Sequence, residues 1–549
     1  MHSLKFQFIL LFSIFIIGIG VITSRVCRKS IQNIKKDAKI ARNRNTGGWK
    51  MARYKQTEAS NGQGMFMCIN LKEQLIPGTF EYMLDKLIDE KIDISIFDKN
   101  YKNDKTGAKA IPPRVLMKLI IYGYFKGIKS SRALEELSRN NIIAKALTED
   151  MQPHWTTIAE FISSNEECFK KIFEKVLIYC AELGLVGGNT FAIDGCRLPS
   201  NASMDLTGTK EDFEKRVKLY RRMAERHIEK HKRKDKKGEI DEKAENNFER
   251  QQAKLNRQIE KISDFMEKME YREGTRRKEM KSNVTDNESA MMHTSSGYIQ
   301  GYIGMAVTDK ENQVILNAEA VGSANECEHL PRVMEKTLEN IKEAKVKKPK
   351  KGKQILLADK NYFSESNLKA CKELNLEVII PDNKYRNRLG MENKYKFGIN
   401  DFEYNKRENY YKCPYGKKIT YKRSYLREDL ETKEYITSVK NCRNCPLIKK
   451  CINTKKEDGK ILKGKVLTVA PGSLCNKLRE KLNTQEYQDI YAYRIQIIEP
   501  VFANITSSKR LDKFMLRGKS KVNTQWQLYC MVHNLGKCLN EYNRREKLA

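Results

Sequence analysis

Histidine, clustered cysteine and acidic charge are what this 549-residue chain has least of. Seven histidines, none in a His-Glu-x-x-His arrangement, exclude zinc-peptidase chemistry. Fourteen cysteines, most standing alone between apolar neighbours as Cys180 and Cys530 do, are too sparse for a secreted disulfide framework and point to a reducing compartment. Gly518-Lys519-Ser520 has Lys513 where a phosphate-binding loop needs glycine, so nucleotide hydrolysis by that route is set aside. The acid deficit is large: 70 Asp and Glu face 104 Lys and Arg, a formal charge of +34. With 40% hydrophobic residues the chain still folds, and its length suits about three or four domains. A folded basic protein attracts polyanions, and charge spread along the whole chain favours nucleic acid over an anionic membrane.

One segment runs against this picture. Residues 6–23 form an almost unbroken apolar run, preceded by Lys5 and followed by Arg25, Arg28 and Lys29, which reads as a membrane anchor if the N-terminus is genuine. A second start is visible at Met51, and Gly47-Gly48-Trp49-Lys50 can be encoded by GGAGGTTGGAAA, a ribosome-binding sequence just before an ATG. Residues 1–50 are therefore expected to be translated upstream sequence, and the protein to be cytoplasmic and nucleoid-associated. Those residues hold ten Lys and Arg and one Asp, so their removal leaves +25 and the nucleic-acid argument intact.

Along the remainder, 51–185 reads as a helical domain. Pro112-Pro113 opens a helix through Val115, Leu116, Leu119, Ile120, Tyr122 and Phe125; Ser130-Ser131-Arg132 begins a second, and Thr156-Thr157 leads into Ile158 and Phe161. A packing module and a DNA-contacting unit fit this pattern equally. Residues 207–281 are charged, with a stripe at Leu255, Ile259, Ile262, Phe265 or Met266, and Met269 that predicts long helices turning near Lys237-Gly238, more simply a solvated arm than a DNA reader. Tyr298–Asp309 and Gln313–Ala318 alternate as a hairpin.

Two acids close apolar strand-like runs: Asp194 after Thr190–Ile193, and Asp359 after Gln354–Ala358. A buried aspartate needs compensation, and a divalent cation supplies it. Glu499 lies in a helical stretch over 487–505, where Pro500 implies either a bend or a helix start. Between the second and third acids Cys413, Cys442, Cys445 and Cys451 could close a tetrahedral zinc site, with Cys475 a competing thiol.

In these residues the chain resembles the DDE transposases of bacterial insertion sequences. Pro113 to Lys118, Tyr122-Gly123-Tyr124 and Ser130-Ser131-Arg132 are similar to their N-terminal helical domain. Asp194-Gly195 and Ala358-Asp359-Lys360-Asn361-Tyr362-Phe363 are similar to the segments of the first and second acids. Arg494 with Ile498-Glu499-Pro500-Val501-Phe502 is similar to the third-acid helix, and Leu516-Arg517-Gly518 through His533-Asn534-Leu535 to its continuation. The resemblance implies an α/β, RNase H-like mixed sheet flanked by helices, formed by 186–206, 282–405 and 476–549 and interrupted by the helical insertion 207–281 and a Cys-rich insertion 406–475. It implies Asp194, Asp359 and Glu499 as ligands of two Mg²⁺ or Mn²⁺ ions, and DNA contacts from Arg494, Lys509, Arg114, Arg132 and Arg517. Element-end and target DNA are the implied partners, bound by a homodimer or larger assembly. The implied activity is metal-dependent cleavage at element ends and strand transfer; a nuclease of the same fold that does not join, and an inactive DNA-binding derivative, are the alternatives. Relatives carry a polar Asn and Gln in the hairpin where this chain has Gly301-Tyr302-Ile303-Gly304-Met305, and Lys509 is the lysine nearest the family's position after the glutamate.

Overall fold

A computed structural model describes residues 69–101, 109–237, 242–273, 279–346, 352–383, 385–389, 397–427, 430–452 and 463–546. The chain divides into two compact units, 1–69 and 70–549, and all that follows concerns the second. The apolar segment 6–23 and Met51 lie outside the described residues. Among the described residues no helix is long and apolar enough to cross a membrane.

Helices α1 (Phe80–Lys86), α2 (Pro113–Phe125), α3 (Ser131–Asn140), α4 (Ile142–Thr148), α5 (Trp155–Ser164) and α6 (Glu166–Glu182) come first. Their starts follow from local chemistry. Pro113 occupies the first turn of α2, where its missing N–H costs nothing; Ser130 Oγ accepts the Ala133 N–H and Asn141 Oδ1 accepts the Ala144 N–H. Helix α2 is buried from Val115 to Tyr124, and its one buried cation, Lys118, donates to Asp85 at 2.6 Å and Asp89 at 2.7 Å.

Strand β1 (Thr190–Pro199) opens the main sheet, and the charged pair α7 (Lys210–Asp235) and α8 (Glu242–Lys268) follows. Then come β2 (Ala290–Thr294), β3 (Gly297–Asp309), β4 (Ile315–Val321), α9 (Leu330–Glu343), β5 (Ile355–Ala358), α10 (Glu365–Glu373) and β6 (Glu377–Ile379). The small strands β7 (Glu403–Asn405), β8 (Tyr410–Lys412), β9 (Lys418–Arg427), β10 (Leu430–Ile436) and β11 (Val466–Val469) precede α11 (Leu474–Lys481), α12 (Gln485–Ala503) and α13 (Lys519–Glu546).

The main sheet has the order β4-β3-β1-β5-β6, with β2 pairing the first half of β3. Pairing of β1, β3 and β4 is antiparallel, whereas β1, β5 and β6 run parallel. This is the RNase H-like mixed sheet the resemblance implies. Apolar runs at Phe191–Ile193 and Leu356–Ala358 are buried because helices cover both faces. Strand β1, however, does not end at Asp194. The 13-residue β3 keeps pairing with it as far as Pro199↔Gly301, and only the parallel partner β5 stops, at Ile193↔Ala358. Asp194 is thus the first residue beyond the parallel ladder and lies mid-strand.

Helix α13 supplies much of the core. The Trp526 indole N–H donates to the Met305 carbonyl at 2.8 Å, and its ring lies 2.9 Å from where a Cβ on Gly304 would stand. Gly304, one of the hairpin departures, is there to seat that ring. In α12 the chain runs through Pro500 instead of starting there. Proline leaves the Gln496 carbonyl without its helical N–H, and the Gln313 side-chain amide donates to it at 2.7 Å.

The helical pair folds on itself as its stripe predicts: Phe213, Val217 and Ile262 are its buried centre, with Ile259, Phe265, Met266 and Met269 packed around them. The Cys-rich insertion is an antiparallel sheet of order β11-β10-β9-β8-β7 with its own small core of Phe402, Tyr411, Ile419, Tyr435 and Leu467.

Candidate active site

The parallel register brings the first two acids together. Ile193 pairs with Ala358 across strands about 4.8 Å apart, so the residues that follow, Asp194 within β1 and Asp359 just past the end of β5, leave the parallel ladder side by side. Asp194 Oδ1 accepts the Gly195 N–H at 2.9 Å, and Oδ2 accepts Arg494 Nη1 at 2.9 Å. Burial pushes the Asp194 carboxyl above its ordinary range; Arg494 and the Gly195 N–H oppose that, while Asp359 adds to it.

Arg494 reaches the pair from α12, and Tyr491, one turn earlier on the same helix, faces Arg494 and Asp359. Burial is the main reason the Tyr491 phenol titrates above its usual range. Glu499 is on this helix as well. Five residues at about 100° each set it roughly 140° round the axis from Arg494, and it is exposed, whereas Ile498 takes the buried face.

A further acid, Glu326, stands beside the pair. It follows β4, is 5% exposed, and accepts from Asn361 Nδ2 at 3.3 Å. Burial, then the charge of Asp194, hold its carboxyl above the usual range. The buried Tyr362 hydroxyl faces the same carboxylates. Sequence reasoning missed Glu326 and Tyr491. A tyrosine and an arginine at i and i+3 on one helix were a usable signal for Tyr491, but a loop glutamate has no periodicity to betray it.

The basic residues expected at DNA are placed unevenly. Arg132 is exposed over the Trp155 ring, Arg517 is exposed and donates to the Asn201 carbonyl, and Arg114 pairs with Glu149 at 2.8 Å. Lys509 is buried, donates to Asn504 Oδ1 at 2.7 Å, and is pushed down to about 8 by burial and by Lys537. It therefore has a partner inside the fold and little open face.

In the insertion, Cys413 begins a tight turn. The Gly416 N–H donates to the Cys413 carbonyl at 2.7 Å, Gly416 has φ +78°, and the Lys417 N–H points to Cys413 Sγ at 3.3 Å. Burial raises the Cys451 thiol, the Lys465 charge opposes that, and the Cys442, Cys413 and Cys445 thiols raise it further, so those three lie near Cys451. None of them forms a disulfide. Cys475 is elsewhere, its N–H donating to Glu365 on the α11–α10 contact.

Both donor sets suit the ions expected. Carboxylate oxygens fit a hard divalent cation, and a turn with an N–H aimed at sulfur fits a thiolate ligand of zinc. Among the described residues, no three such side chains are drawn to coordination spacing.

Two segments match known families. Residues 69–164 match a family described as Transposase domain (DUF772), and residues 412–539 match one described as Transposase DDE domain. No curated protein matches the chain. The first segment covers α1 to α5; the second covers most of the insertion, α12 and most of α13. With an RNase H-like sheet between them, the two matches support an insertion-sequence DDE transposase. That family acts on DNA and generally uses divalent metal ions.

Proposed function

We propose that this protein cleaves DNA at the ends of a mobile element and joins those ends to target DNA. The observation that carries the reading is the Ile193↔Ala358 register, which sets two aspartates side by side with Arg494 on one of them. Asp194 and Asp359 hold divalent cations, and Glu499 is the third acid by family resemblance. Cations bound there supply positive charge to the attacking and leaving oxygens of the phosphodiester. Arg494 neutralises Asp194 and keeps donors beside the scissile phosphate, while the exposed Arg132 and Arg517, with Arg114, bind the DNA backbone. Two copies of the chain or more hold a pair of ends. A zinc ion on Cys413, Cys442, Cys445 and Cys451 braces the insertion. The experiment that tests the function is an end-cleavage and joining assay with oligonucleotides from the element's own termini. Mg²⁺-dependent nicks and joined products support it; nicks without joining leave the nuclease reading, and binding without nicks leaves the inactive one.

A further inference from the structure

The acid pair has a neighbour whose chemistry is unfinished. Glu326 is 5% exposed, and its Oε2 has no hydrogen-bond partner among the described residues. Its other oxygen has a single, long contact at 3.3 Å, from Asn361, two residues past Asp359. The Tyr362 hydroxyl, fully buried beside the same acids, is likewise without a partner. Gly195, next to Asp194, makes the room: a Cβ there would collide with Glu326 Oε2 and come within 2.5 Å of Ile303 Cγ2. The Asp-Gly step thus lets a third carboxylate press against the strand that bears the first.

Charge makes this arrangement informative. Glu326 lies near enough to Asp194 and Asp359 for both charges to act on it, and Arg494 is the cation bonded to Asp194. Arg197, whose charge also reaches Glu326, is exposed and donates to the His293 carbonyl. Buried acids left unpaired cost several kcal/mol each, so proteins keep them where a cation compensates. We infer that Glu326 is a carboxylate of the divalent-cation site, acting with Asp194 and Asp359. The inference rests on the proposed metal site and adds a residue to it that neither the family resemblance nor either matched segment includes.

The test is Mn²⁺ binding to the full-length protein, read by electron paramagnetic resonance, together with melting temperature with and without Mn²⁺. Glu326→Gln keeps the shape and removes the charge. It is expected to weaken Mn²⁺ binding at least about tenfold, to raise the metal-free melting temperature by relieving repulsion, and to lose the Mn²⁺-induced rise. A merely structural glutamate would lower the metal-free melting temperature and leave the Mn²⁺ response intact. Gly195→Ala, which displaces Glu326 without touching its charge, is expected to weaken Mn²⁺ as well. If Asp194→Asn and Asp359→Asn lose Mn²⁺ while Glu326→Gln binds like wild type, the inference is overturned alone. If the two aspartate variants bind like wild type, the metal site itself is overturned.

Discussion

Four acids now stand around one chemical question, and single substitutions separate them. Asp194→Asn and Asp359→Asn are each expected to cut Mg²⁺-dependent nicking by roughly 10²–10³-fold or more, with DNA binding nearly unchanged, because binding rests on the Lys and Arg surface. Glu499→Gln decides between its family role and its exposed place on α12. Loss of nicking keeps it as the third acid; nicking at the wild-type rate, with loss in Glu326→Gln, transfers that role to Glu326. His533 is a residue whose effect is on stability. It is buried with Nε2 2.9 Å from the Gln313 carbonyl oxygen, and burial pushes it down from 6.5 to about 3. Between those values the unfolded chain binds a proton that the folded chain refuses, so stability present at neutral pH is lost as pH falls. From pH 7.5 to 5.5 wild type should lose about 1.4 kcal/mol more than His533→Gln, measured by urea denaturation. An identical loss in both would exclude the histidine as the cause.

At the scale of elements, the insertion has little packing of its own. Five buried side chains are a small core, and domains that bury little usually need a metal or a disulfide. The full-length protein is expected to contain about one zinc per chain, and Cys445→Ser to release it and open 403–469 to limited proteolysis. Elemental analysis finding no zinc under reducing conditions would remove the ion and leave the catalytic reading untouched. What could be read in the residues follows the same scale. Asp194 and Asp359 were legible because each closes a run of apolar residues, and the α7–α8 pair because its stripe repeats every three or four positions. The extension of β1 past Asp194 was not, since it depends on β3, a partner about a hundred residues away. Neither was the burial of Lys509, which the resemblance set at the DNA, nor the use of Gly304 as a seat for Trp526 from the last helix.

For the whole molecule, charge is the property that acts before any contact forms. A balance of +34, or +25 without residues 1–50, attracts DNA, and its binding releases counterions. Affinity for an element end is therefore expected to fall steeply with salt, by about 10³–10⁵-fold between 50 and 200 mM if 6–10 phosphates are neutralised. The acid-to-amide variants should keep the same slope, measured by fluorescence anisotropy. A flat salt response would mean that the basic surface is not the DNA-binding one.

The central claim, that two strand-borne aspartates make this fold a metal-dependent DNA-joining enzyme, is tested most directly by a strand-transfer reaction. Full-length protein, Mg²⁺, a labelled element-end duplex and a target plasmid are combined, beside Asp194→Asn and Asp359→Asn. The expected result is labelled end joined to plasmid with the wild-type protein only, and none when the divalent cation is chelated. Joined product from either variant at the wild-type level, or joining that survives chelation, would contradict it.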